Sequence, residues 1–193
     1  MPGNLKPTST WPTPPPPLNP EQRTFARSQF AAARILDQCR TAGALRSETA
    51  ARLAGNGFRQ VSLLQGAGGV SKSILLPALC RALAAENIGT MAATAWTRVA
   101  AAPFRAPTLC SLLGIDLARF GHEPQHTEQQ LGQIREKFAT YFGNPRNLAV
   151  FVVDEISFVV PAALHWLDKT LRGILKEPEV PSGGVLVVVA SDS

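Results

Sequence analysis

The feature that most constrains this chain is an eight-residue turn, Gly66-Ala67-Gly68-Gly69-Val70-Ser71-Lys72-Ser73, set between a short apolar run, Val61 to Leu64, and a helical pattern reaching about Asn87. Its glycines let the backbone turn sharply and bring several N–H groups together with no side chain in the way. A strand leaving through such a turn into a helix aims the helix's positive end and those amides at one point, and that combination binds phosphate. Lys72 is placed to reach the outer phosphates and the Ser73 hydroxyl to hold magnesium, the last two requirements of the template G-x-x-x-x-G-K-S/T. Ser71 departs from the template, which has glycine there; its Cβ restricts the backbone or crowds the phosphates. Pro77 is a second irregularity. In a helix interior it removes one hydrogen bond and crowds the carbonyl four residues back, that of Ser73, at a cost of ~3 kcal/mol. A plain glycine-rich turn with an exposed lysine is the alternative, and the strand before and helix after weigh against it.

The flanking pattern extends this strand–loop–helix unit into a layered fold. A second apolar run lies around Met91 to Ala95, a third from Leu148 to Val153, and a β-branched run from Val185 to Ala190. Between them fall an amphipathic helix from about Thr127 to Phe142 and a helix from Pro161 to Lys176 with proline at its start. Buried strands alternating with helices predict an α/β fold with a mostly parallel sheet covered on both faces. Upstream, Asn19 is suited to cap a helix, Pro20 to its first turn and Gln22 to the reciprocal position of a capping box. A helix or helix pair is expected from about Pro20 to Leu53, ended by Ala54-Gly55-Asn56-Gly57. Residues 1–17 are rich in Pro, Thr and Ser and predict an extended, disordered leader, with residues 18–193 as one domain.

The third apolar run ends in Asp154-Glu155. Open α/β sheets bind ligands at the carboxyl ends of their strands. An acidic pair there can divide labour, Asp154 holding magnesium and Glu155 orienting and deprotonating an attacking water. A solvated turn explains such a pair equally well in isolation; its weight comes from the conjunction with Lys72.

Further stretches fall into register with these two. Leu18-Asn19-Pro20-Glu21-Gln22 precedes the first helix, Ala93-Thr94-Ala95-Trp96-Thr97-Arg98-Val99-Ala100-Ala101 follows the second strand, and Pro107-Thr108-Leu109-Cys110-Ser111-Leu112-Leu113-Gly114-Ile115 comes next. Val153-Asp154-Glu155-Ile156-Ser157-Phe158-Val159 is the most specific stretch, and Gly183 to Asp192 forms the last. Together they resemble, over roughly residues 18–193, the Pif-one family of 5′-to-3′ superfamily-one DNA helicases, including the helicases of related mobile elements. The resemblance implies the first RecA-like P-loop NTPase domain, using ATP and Mg2+, with residues 66–73 and Glu155 at the nucleotide and Gln22 reading the adenine. The capping-box role for Gln22 stays open beside that one. Thr97, Arg98 and Thr108 are implied contacts to single-stranded DNA, with ordinary loop polarity as their alternative; Arg98 stands where the family has glycine, and either strengthens a phosphate contact or obstructs the close approach. Trp96 either stacks on a base or packs. Cys110 stands at a histidine position and Ser191 at a glycine position. A second RecA-like domain, which would supply an arginine to the transferring phosphate, is expected as a partner, since these 193 residues hold no counterpart of it. Roles in DNA repair, recombination and telomere maintenance, and a nuclear location, are further implications of the resemblance. So is the rival outcome, a remnant that keeps the fold with weak or no hydrolysis.

Composition sets the outer bounds. The 19 basic residues against 14 acidic give a net charge of +5, compatible with a polyanionic partner. Cys39, Cys80 and Cys110 lack metal-ligand spacing, His122 and His126 flank Pro124 with no third ligand, and His165 sits on an apolar helix, so no zinc site is expected. No apolar run approaches membrane-spanning length and no signal pattern opens the chain, so an intracellular protein is expected.

Overall fold

A computed structural model of the chain describes residues 18–44, 46–66, 71–115, 124–155 and 161–192. The expected leader, residues 1–17, lies outside them, as do Ala67 to Val70, His122 and Ile156 to Val159.

The first helical segment is a pair: α1, Pro20–Thr41, and α2, Arg46–Gly55. Asn19 caps α1 in a full capping box with Gln22, and Pro20 takes the first turn, where its missing N–H costs nothing. Strand β1, Val61–Gly66, follows, then α3, Ser71–Ala85, β2, Thr90–Ala95, and two short helices, α4, Arg98–Ala101, and α5, Leu109–Leu113. The chain continues through α6, Glu128–Phe142, β3, Leu148–Asp154, α7, Pro161–Leu175, and β4, Leu186–Asp192. Pro77 does not end α3, which runs through it. The ring removes one backbone bond, while Leu75, Leu76, Leu79 and Leu83, all essentially buried, fasten both halves of the helix to the sheet.

The four strands are all parallel, in the order β1-β4-β3-β2. Every carboxyl end therefore lies at the same edge of the sheet. Successive residues of a strand face opposite sides, and both sides are covered, which is why β3 reads as an unbroken apolar run rather than an alternating one. Val150 and Val152 join the cluster under α1, α2 and α3, whereas Phe151 and Val153 join the one under α5, α6 and α7. Among the described residues, cover is thin over β1: Val61 and Leu63, register partners of Val187 and Val189, are 52% and 53% exposed.

Gly89 shows how β2 reaches its place beside β3. Its φ of +56° is glycine territory, and a Cβ there would stand 2.6 Å from the Asn147 carbonyl oxygen and 2.9 Å from Ala149 Cβ. The close approach and the left-handed turn both demand the missing side chain.

Candidate nucleotide-binding site

The carboxyl ends of β1 and β3 deliver the two motifs to one edge of the sheet, with β4 between them. Lys72 lies in the first turn of α3 and Asp154 closes β3. Lys72 Nζ stands 3.0 Å from Asp154 Oδ1, with side chains 8% and 17% exposed. An ammonium so withdrawn from water is tolerable only against an opposite charge, and Asp154 supplies it. Asp154 Oδ1 also accepts the Glu155 backbone N–H at 2.9 Å.

Glu155 adopts φ +58°, a left-handed backbone that costs a non-glycine residue about 1 kcal/mol. Two bonds hold it there: the amide to Asp154, and the Thr97 hydroxyl, which donates to Glu155 Oε2 at 2.6 Å. Thr97 is itself the N-cap of α4, its Oγ1 accepting from Ala100 N at 3.3 Å. Adjacent register between β2 and β3, with Ala95 opposite Asp154, brings these two strand exits side by side.

The sequence-predicted residues thus divide. Lys72, Asp154, Glu155 and Thr97 form one connected cluster. Gln22 is found in its capping role, its Oε1 accepting from Asn19 N at 2.9 Å. Thr108 caps α5, accepting from Ser111 N, and Arg98 is exposed at the start of α4. The phosphate-loop residues Ala67, Gly68, Gly69 and Val70 fall outside the described residues; Gly66 ends β1, and Ser71 and Ser73 are placed by their backbone in α3. Ser71 therefore has a helical backbone, which serine adopts freely.

Sequence reasoning missed Thr94. Its buried hydroxyl donates to the Pro107 carbonyl at 2.6 Å and straps the Thr108 segment to the end of β2. The signal was a threonine set among Ala92, Ala93 and Ala95 of that strand. Cys110, in α5, has its thiol pushed up by burial, so it stays protonated at neutral pH. Trp96 packs against the core beneath α5 and α6. His126 is engaged by the fold: Nε2 lies 2.8 Å from Thr170 Oγ1 and the ring meets Trp166 edge-on at 5.2 Å.

Among the described residues no group of three or more His, Cys, Asp or Glu is placed to hold a metal ion. A single carboxylate at a phosphate site suits magnesium, which keeps several waters and takes one or two protein oxygens besides the phosphates. No helix of the described residues is long and apolar enough to cross a membrane.

The family model described as PIF1-like helicase matches residues 49–193. The ATP-dependent DNA helicase PIF1 of Trypanosoma brucei brucei is 27% identical over 131 residues, which are 66% of this chain and 12% of that protein. Pif1 helicase from Candida albicans is 25% identical with a TM-score of 0.51, over 76% of this chain and 31% of that one. Pif1 helicase from Bacteroides in complex with ADP-AlF3 and ssDNA is 25% identical with a TM-score of 0.50, over 73% of this chain and 30% of that one. The chain thus spans less than a third of the length of each of these relatives.

Proposed function

The chain belongs to the PIF1-like helicase family, and from that premise we propose that residues 18–193 act as the ATP-binding first motor domain of a 5′-to-3′ DNA helicase. The observation that carries the nucleotide part of this reading is the contact of Lys72 with Asp154. A phosphate-seeking cation from the start of α3 and a metal-seeking anion from the end of β3 meet at the carboxyl edge of the sheet.

In the bound state Lys72 exchanges Asp154 for the outer phosphates, and the loop amides of residues 66–73 cradle the rest. Ser73 and Asp154 hold magnesium, which neutralises charge on the phosphates. Glu155 orients the attacking water and accepts its proton. Gln22 contacts the adenine, and Thr97, Arg98 and Thr108 contact single-stranded DNA beside the nucleotide. A second RecA-like domain closes on the site and contributes an arginine. Work in repair, recombination and telomere maintenance, within the nucleus, belongs to the same proposal. Support for nucleotide and strand comes from the solved Bacteroides relative, which carries ADP-AlF3 and ssDNA.

Titration of a fluorescent ATP analogue with magnesium tests this reading. The chain is expected to bind it and Lys72→Met to weaken binding at least about tenfold, the loss of one charge-assisted phosphate contact. Absence of binding by both proteins, or equal binding, defeats it. One observation favours a second reading, a fold that has lost turnover: Ser71 stands where the template needs glycine.

A further inference from the structure

Thr97 and Glu155 tie together the two halves of the proposed function. The Thr97 hydroxyl, at the exit of β2, donates to Glu155 Oε2, at the exit of β3. Sheet order fixes the direction of this pull. β2 is the neighbour of β3 on the side away from β4 and β1, whereas the phosphate loop follows β1. Neighbouring strands lie roughly 4.8 Å apart, so the bond draws the carboxylate toward the far side of β3 from the phosphates. The left-handed backbone at Glu155 is part of the same posture, a strained conformation that persists only while its tethers hold.

We propose that Thr97 is a positioning residue that parks Glu155 away from the nucleotide and releases it when single-stranded DNA takes the Thr97 hydroxyl. This rests on the reading of Glu155 as the water-activating base and of Thr97 as a strand contact. Release is a hydrogen-bond exchange: the Thr97 O–H turns from Glu155 Oε2 to a phosphate oxygen of the strand, and the freed carboxylate swings toward the attacking water. No proton or covalent bond changes hands. The device makes hydrolysis depend on the track, because water activation needs a strand in place. Linkage requires the reverse as well: a Glu155 that holds the hydroxyl must weaken strand binding by the same factor.

Binding of a fluorescent oligo-dT to the full chain, in a double-mutant cycle, tests this reciprocal term without needing turnover. Removing the acceptor by Glu155→Ala frees the hydroxyl and is expected to tighten oligo-dT binding about fivefold, the low end of coupling between linked sites. With Thr97→Val already present, the same Glu155→Ala change is expected to give less than about a twofold gain, the residual effect of one acidic charge near a polyanion. Thr97→Ser keeps both the hydroxyl and the α4 cap and is expected to restore the full gain, which separates the bond from a fault in folding. Equal tightening with threonine and with valine at this position overturns the inference and leaves the strand reading standing. A chain that binds the ATP analogue but no oligo-dT in any variant overturns both.

Discussion

Lys72 and Asp154 stand 3.0 Å apart although β4 runs between the strands that deliver them. The ammonium and the carboxylate satisfy each other's charge where neither is well exposed to water. The pair is held by the fold rather than by sequence proximity, and its desolvation makes it costly to break one-sidedly. Asp154→Ala removes the carboxylate that faces the more deeply withdrawn ammonium and is expected to lower stability by about 3 kcal/mol. Lys72→Met keeps the apolar stem, leaves the more exposed partner, and is expected to cost less. Urea unfolding midpoints order the two variants; a reversed order would show that the Asp154 side is the one under strain.

Thr90 Oγ1 is buried with no hydrogen-bond partner among the described residues. It opens β2, where the register with β3 shifts between Thr90 and Met91, and the irregularity leaves the hydroxyl facing no acceptor. A hydroxyl in that position forfeits its water without compensation. Thr90→Val keeps the β-branched shape and is expected to stabilise the fold by about 1 kcal/mol, the penalty of one unsatisfied neutral group. Thermal unfolding reads this directly, and a lowered midpoint would mean that water reaches the hydroxyl.

Much of the site was legible because its chemistry is fixed at fixed spacing. Glycines, a lysine and a hydroxyl between a strand and a helix can be recognised from residues 66–73 alone, and an unbroken apolar run ending in Asp154 marks the strand whose end meets Lys72. The bond between Thr97 and Glu155 was not legible, since it joins residues 58 apart and depends on the β2–β3 register and on a left-handed backbone at a glutamate. The helices α4 and α5 escaped for another reason: at four and five residues they are too short to show a period, and only their threonine caps announce them. Gln22 stayed ambiguous because the side chain that would read an adenine is also the one that closes a capping box.

His126 should make stability depend on pH. Burial lowers its pKa below the ordinary 6.5, so near and just below that value the unfolded chain binds a proton that the folded one refuses. Stability from this group is complete above pH 6.5 and is lost as the pH falls toward the folded pKa. Melting temperature is expected to drop between pH 7 and about 5, with the slope reduced in His126→Gln. An unchanged slope in that variant would assign the acid sensitivity to the carboxylates instead.

Ser71 decides between a working phosphate loop and a spoiled one. Its helical backbone is one that serine adopts freely, so the template's demand for glycine there concerns the space that an approaching phosphate needs. Ser71→Gly opens that space and is expected to strengthen ATP binding about tenfold, equivalent to 1.4 kcal/mol. The same change costs about 0.5 kcal/mol of helix propensity, so the variant should bind more tightly while unfolding slightly more easily. Calorimetric titration with ATP and magnesium, paired with a melting curve, separates the two effects. Tight binding by the native chain with no gain on substitution would show that the serine is accommodated, which removes the main observation favouring a loss of turnover.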